Sequence, residues 1–155
     1  MDKDERYVIL DLDNCISDDE WRVPAIEWEQ TDFVKRFHEY HLHAAHDRIG
    51  NSHLFAGSPP IIIITGRPFA YWKLTVRWLH RHLVPYVGLY MRPYGGEGTS
   101  APDLKRYLLH RFFHSTGATP DDIICAYDDR ADIVDMYREE GLNAAQAFIN
   151  ERAIK

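Results

Sequence analysis

Tyr7-Val8-Ile9-Leu10-Asp11-Leu12-Asp13-Asn14-Cys15-Ile16 runs four apolar, strand-forming residues straight into two carboxylates spaced i, i+2. An apolar run bounded by polar turn-formers reads as a buried strand of the kind found in parallel sheets. In α/β sheets, ligands bind beyond the carboxyl ends of the strands. Asp11 and Asp13 therefore stand where chemistry is expected, and side-by-side carboxylates there suit a hard cation. An Asx-type turn closing the strand is the other reading that Asp-Leu-Asp-Asn supports.

The chain beyond this stretch alternates strand and helix. Ser17-Asp18-Asp19-Glu20-Trp21-Arg22-Val23-Pro24 reads as a polar loop, followed by a helix over 31–47 with Phe33, Val34, Phe37, Tyr40 and Ala44 at helical spacing. After the turn Gly57-Ser58-Pro59-Pro60, Ile61 to Ile64 form a second buried strand, broken by Thr65-Gly66-Arg67-Pro68. A helix over 70–82 follows, then a third strand over 86–91 and a Gly-rich loop over 92–102. Pro102 starts a helix over 103–114. Ile123 to Tyr127 make a fourth strand stopped by Asp128-Asp129-Arg130, and a helix over 131–140 ends at Gly141, a good residue for a helix C-terminus. Residues 143–147 add a short fifth strand. This alternation predicts a parallel sheet with right-handed crossovers.

With 155 residues, 45% apolar and 27% charged, the chain is expected to fold as one domain over 1–155. No run approaches the roughly 20 apolar residues of a membrane span, and the mixed-charge start lacks a signal region, so a cytoplasmic location is expected. Cys15 and Cys125 fit reduced intracellular thiols. A net charge of −6 argues against nonspecific grip along a nucleic-acid backbone but leaves room for recognition of a single phosphate.

Three strands end in chemistry: Asp11 and Asp13, then Thr65 and Arg67, then Asp128 and Asp129. The ends of a parallel sheet share one edge, so these residues can meet. Lys105, near the start of a helix, supplies a cation for carboxylates that would otherwise repel one another. Here the sequence resembles the haloacid dehalogenase superfamily of phosphotransferases. That family's motifs are an Asp-x-Asp-x-Thr strand end, a strand-end Thr or Ser, a lysine and an acidic pair. They are matched by Asp11-Leu12-Asp13-Asn14-Cys15, Thr65, Lys105 and Asp128-Asp129. The resemblance implies a Rossmann-like three-layer α/β/α sandwich with a mostly parallel sheet of about five strands. It also implies roles: Asp11 as nucleophile forming an aspartyl-phosphate, and Asp13 as general acid and base. Magnesium would be held by Asp11, the Asp13 carbonyl and Asp129, with Asp128 assisting. Thr65 would bind a phosphoryl oxygen and Lys105 would neutralise charge.

Cys15 stands where that family carries threonine. A cysteine phosphatase pairing Cys15 with Arg22 is disfavoured, because Arg22 lies seven residues on and Asp18-Asp19-Glu20 would raise the thiol pKa. Fewer than fifty residues separate the first motif from the second strand, so a capless, open site is expected, one that a homo-oligomer could close. Within the superfamily the chain is similar to the 3′-phosphatase domain of phage-type polynucleotide kinases, through Thr65-Gly66-Arg67, Asp128-Asp129-Arg130 and Arg22. This implies a phosphate monoester substrate, at a nucleic-acid 3′ end or in a free nucleotide. Arg22 and Arg67 are candidates to clamp its phosphate. No phosphate-loop motif of a kinase occurs. A non-catalytic binding module of the same fold is the reading from another class. His38, His41, His43 and His46 do not converge on a helix. Trp21, Trp28, Trp72 and Trp78 are expected in the core or at subunit contacts, and Arg130 is expected to order the acidic pair or the following helix.

Overall fold

The computed structural model describes residues 5–25, 33–57, 59–96 and 98–152. Among them the order of elements is β1 (Tyr7–Leu10), β2 (Ser17–Asp18), α1 (Phe33–Leu42), β3 (Arg48–Ile49), β4 (Ile61–Pro68), α2 (Trp72–Arg81), β5 (Tyr86–Arg92), α3 (Ala101–Thr116), β6 (Ile123–Asp128), α4 (Ala131–Glu139) and β7 (Ala144–Gln146). Five strands form a parallel sheet in the order β5-β4-β1-β6-β7. β1 is central, with Leu10 level with Ile63 on one side and Tyr127 on the other.

Side chains alternate across a strand, and both faces of this sheet are covered. Tyr7, Ile9, Ile62 and Ile64 pack on one face against Leu104, Leu108 and Phe112 of α3 and Ile133 and Met136 of α4. Val8, Leu10, Ile61 and Ile63 pack on the other against Trp78 and Leu79 of α2. The result is the expected three-layer α/β/α sandwich. Among the described residues, no helix is long and apolar enough to cross a membrane.

Three elements differ from the expectations. β4 does not break at Thr65 but runs on to Pro68, which pairs with Arg92 after a register shift. The Arg67 side chain is anchored inward at the sheet edge, and this keeps the backbone extended. The helix expected over 31–47 ends at Leu42, and Ala44–His46 make a separate 3-10 turn. Its expected start at Thr31, and the side chains of Phe33, Val34 and Phe37, lie outside the described residues, as does Trp28. The polar stretch after β1 is not simply loop: Ser17–Asp18 pair antiparallel with Arg48–Ile49, and a 3-10 helix spans Glu20–Ala25. α3 starts at Ala101, one residue before Pro102, because Ser100 caps it by accepting from the Asp103 amide at 3.3 Å.

Candidate active site

β1 carries Asp11 to the carboxyl edge of the sheet, and β6 brings Asp128 and Asp129 beside it. One carboxylate oxygen from each lies within 4.8 Å of the others. Lys105, in the second turn of α3, reaches under them. Its Nζ donates to Asp11 Oδ1 at 2.9 Å and also to Asp128. Lys105, Asp11 and Asp128 are all buried. Burial, then repulsion from Asp128, raises the Asp11 carboxyl well above its ordinary range despite Lys105. The same two causes push Asp129 up to about 6. Burial alone would lower Lys105, but Asp11 and Asp128 outweigh it and hold the ammonium charged. Three acids with one lysine thus leave excess negative charge on hard oxygen donors, a set that fits a small divalent cation.

Asp13, two residues on, faces a different neighbourhood. It accepts from Arg67 Nη2 at 2.8 Å and Nε at 3.1 Å, and from Arg22 Nη2. His41 Nδ1 lies 3.9 Å from its second oxygen. Burial would raise the Asp13 carboxyl, but Arg67 and then Arg22 outweigh it and hold it far below the usual carboxylate range. Behind the arginines sits Asp47, whose carboxylate accepts from Ser17 Oγ at 2.6 Å, Trp21 Nε1 at 2.9 Å, and Arg22 Nε at 3.0 Å and Nη2 at 2.8 Å. Tyr40 stacks its ring 4.3 Å from the Arg22 guanidinium carbon. Asp47 thereby fixes Arg22 and, through Ser17, which accepts from Arg67 Nη2 at 3.1 Å, the second guanidinium as well. Removing one partner of a buried pair leaves the other charge uncompensated. Asp47→Ala should therefore cost about 3 kcal/mol, measurable as a fall in the urea midpoint, and Asp47→Asn should cost less.

The structure thus gathers the sequence candidates into two adjoining clusters, Asp11–Lys105–Asp128–Asp129 and Asp13–Arg22–Arg67. Thr65 is fully buried within β4, its Oγ1 accepting from the Arg67 amide at 3.1 Å. Arg22 and Arg67 are 1% and 0% exposed, directed at Asp13 rather than at open solvent. Arg130 forks onto Asp132 while its amide caps Asp128 at 3.0 Å, so it orders the acidic pair. Arg92 donates to the carbonyls of Gly66, Gly96 and Thr99, tying down the Gly-rich loop. Cys15 is buried, and burial followed by Asp11 raises its thiol well above the ordinary value, which opposes a thiolate nucleophile.

A shallow cleft of about 180 Å³ opens over Asp11, Asp13 and Lys105, with His41, Tyr40 and Arg92 on its walls. Sequence reasoning missed two residues here. His41 is buried, and burial takes it down to about 3, so the ring facing Asp13 is neutral. Asp47 entered the sequence reading only as the last residue of the expected helix over 31–47. The signal available for His41 was its pairing with His38 on one helix face. His38 instead bonds the Tyr71 hydroxyl at 2.6 Å, and among the described residues no metal-binding group includes a histidine.

No protein-family model matches the sequence, and no curated protein matches it. Solved structures do. A chain of the Pnkp1/Rnl/Hen1 complex aligns at a TM-score of 0.68 with 24% identity, over 97% of this chain and 49% of that one. A second structure, of the Pnkp1/Rnl/Hen1 RNA repair complex, gives 0.61 and 20%, over 95% and 44%. A haloacid dehalogenase-like hydrolase from Streptococcus pneumoniae gives 0.63 and 11%, over 90% and 83%. The chain spans about half the length of the two repair-complex chains. The sheet order, the two covered faces and these alignments agree: the chain has the haloacid dehalogenase-like fold, with its acidic cluster at the carboxyl edge of the central strand.

Proposed function

We propose that this domain is a magnesium-dependent phosphomonoesterase that works through an aspartyl-phosphate, and that its substrate is a nucleic-acid 3′-phosphate. The observation that carries this reading is the division of labour between two aspartates two residues apart. Asp11 is paired with a lysine and grouped with two further acids, while Asp13 is gripped by arginines. An Asp11 oxygen attacks phosphorus and the ester P–O bond breaks. Asp13 delivers a proton to the departing oxygen, then takes one from the water that hydrolyses the acyl phosphate. Asp13 must gain a proton for the first step, which its arginines oppose in the free protein. A phosphate dianion entering the cleft beside Asp13 adds negative charge that favours the protonated acid and offsets that opposition, the proton coming from solvent. Thr65 offers its hydroxyl to a phosphoryl oxygen, and Lys105 offsets charge on Asp11.

Magnesium would be held by Asp11, Asp128 and Asp129, with the Asp13 backbone carbonyl. When bound, it supplies charge neutralisation at the phosphoryl group. The likeness to chains of an RNA repair complex supports a nucleic-acid substrate. The magnesium complex of a similar enzyme from Bacteroides thetaiotaomicron, at a TM-score of 0.55 and 12% identity over 96% of both chains, supports the metal. The net charge of −6 favours a second reading, a nucleotidase acting on free nucleoside monophosphates. The intact constellation argues against a non-catalytic binding module. Residues 1–155 are read as a single cytoplasmic domain whose open cleft a second copy would help to close.

The test is a side-by-side assay of a 3′-phosphorylated oligonucleotide against a panel of nucleoside monophosphates, with and without chelator. Faster turnover of the oligonucleotide, lost in chelator and restored by magnesium, is expected. Preference for monophosphates would overturn the first reading in favour of the second.

A further inference from the structure

The chain's charge is unevenly distributed. Residues 48–96 contain no aspartate or glutamate, although the chain holds 24, and they carry Arg48, Arg67, Lys73, Arg77, Arg81 and Arg92. The acids return with Glu97 and Asp103. This stretch includes β4, α2 and the edge strand β5. The segment is therefore cationic within an acidic chain: Arg67 and Arg92 are buried beside the cleft, where Gly66 and Arg92 form part of the wall, and Lys73, Arg77 and Arg81 are exposed on α2.

Immediately outside the cleft, the same two strands present aromatic rings. Phe69 follows β4 and stacks on Trp72 with ring centroids 6.2 Å apart and planes 21° apart. Tyr94, two residues beyond β5, meets Phe69 edge-on at 5.7 Å. Tyr94 is 74% exposed, Tyr107 47%, Phe69 45% and Trp72 40%, so these rings meet water rather than a core. Phe69, Tyr94, Tyr107 and Arg111 line a groove of about 380 Å³ between β5 and α3. A second depression of about 330 Å³ continues it along α3, sharing Tyr107 and Arg111. The groove and the catalytic cleft are neighbours on the same elements: Lys105 lies in the cleft, and Tyr107 and Leu108 line the groove. Among the described residues, no ion pair engages Lys73, Arg77 or Arg111. Of these cations Arg111 lies in the groove itself, and exposed rings beside a cation make the kind of surface on which single-stranded nucleic acid binds without regard to sequence, because every base has a face to stack and every linkage a charge.

We propose that the Phe69–Tyr94–Tyr107–Arg111 groove is the binding site for the unpaired nucleotides that precede a 3′-phosphate held at Asp11. This rests on the phosphomonoesterase reading and deepens it, because a free mononucleotide fills the cleft but has nothing to lay in the groove. The site selects a polynucleotide over a nucleotide while the net charge stays acidic.

The experiment compares kcat/KM for a nucleoside 3′-monophosphate, a single-stranded 3′-phosphorylated hexanucleotide and a small aryl phosphate. It uses the wild-type chain and a Tyr94→Ala/Tyr107→Ala/Arg111→Ala variant. The wild type should prefer the hexanucleotide to the mononucleotide by at least about tenfold, and raised salt should erode that preference. The variant should lose it while hydrolysing the aryl phosphate at the wild-type rate. In parallel, fluorescence anisotropy of a labelled 3′-hydroxyl hexanucleotide reads the groove without catalysis, and the variant should bind at least about tenfold more weakly. A wild type with no length preference, or a variant that keeps it, overturns the groove while aryl phosphate turnover leaves the phosphatase reading standing. A wild type that hydrolyses no ester overturns that reading instead, and the anisotropy result then decides the groove alone.

Discussion

Asp11→Asn should abolish turnover of a generic aryl phosphate, with a loss on the order of 10⁴-fold or more, and the protein should remain folded. The amide is nearly isosteric with the carboxylate but cannot form an acyl phosphate under these conditions, so the loss falls on kcat rather than on substrate capture. Lys105 keeps its second partner, Asp128, so the substitution does not strand a buried ammonium. It also removes one of three mutually repelling carboxylates, and with it a buried acid that burial, then repulsion from Asp128, holds well above its ordinary pKa. In chelator the variant should therefore melt no lower than the wild type. Stopped turnover with an unchanged or raised melting temperature identifies a chemical role. Wild-type turnover in the variant would refute Asp11 as nucleophile, and a collapsed fold would show that the carboxylate mainly supports structure.

What could be read from the sequence, and what could not, follows from how each signal is encoded. Buried parallel strands are long apolar runs, so Tyr7 to Leu10, Ile61 to Ile64 and Ile123 to Tyr127 were visible, and each became a strand. A polar residue ending such a run has a known address at one sheet edge, so Asp11, Thr65 and Asp128 could be placed together before any coordinates. Lys105 needed a different cue, the demand of clustered acids for a cation. The pair β2–β3 was not legible because two residues carry no periodicity. Asp47 and His41 escaped for another reason: on sequence alone, a buried polar side chain looks the same as a solvated one. Arg22 and Arg67 were picked out as partners for a phosphate, but nothing in their spacing said that in the free protein both would point at Asp13. Likewise, Trp72 was expected in the core or at a subunit contact, and its ring is exposed and stacked on Phe69 rather than in the core.

Lys105→Met should separate the lysine's structural role from its chemical one through pH. Lys105 is the cation that the ion pairs show holding Asp11 and Asp128, and all three are buried. Breaking such a pair typically costs 3–5 kcal/mol, so the metal-free variant should be about 3 kcal/mol less stable than the wild type near pH 8. The sign of its pH dependence follows from linkage. A buried carboxyl whose folded pKa exceeds its unfolded value, near 3.9, keeps a proton in the native state that the unfolded chain has already released. Stability then falls as pH rises through that window. Asp129 is already pushed up to about 6 and Asp11 is raised well above its ordinary value with the lysine present. Without Lys105 both move higher, so the stability gap between variant and wild type should be small near pH 4 and widen steadily past pH 6. Taking the difference between the two proteins cancels groups they share, including His41, whose lowered pKa works in the opposite direction. Urea titrations in chelator at several pH values measure this gap. A gap that does not change with pH would mean that Lys105 stabilises through packing of its stem, and the electrostatic account of the cluster would fail.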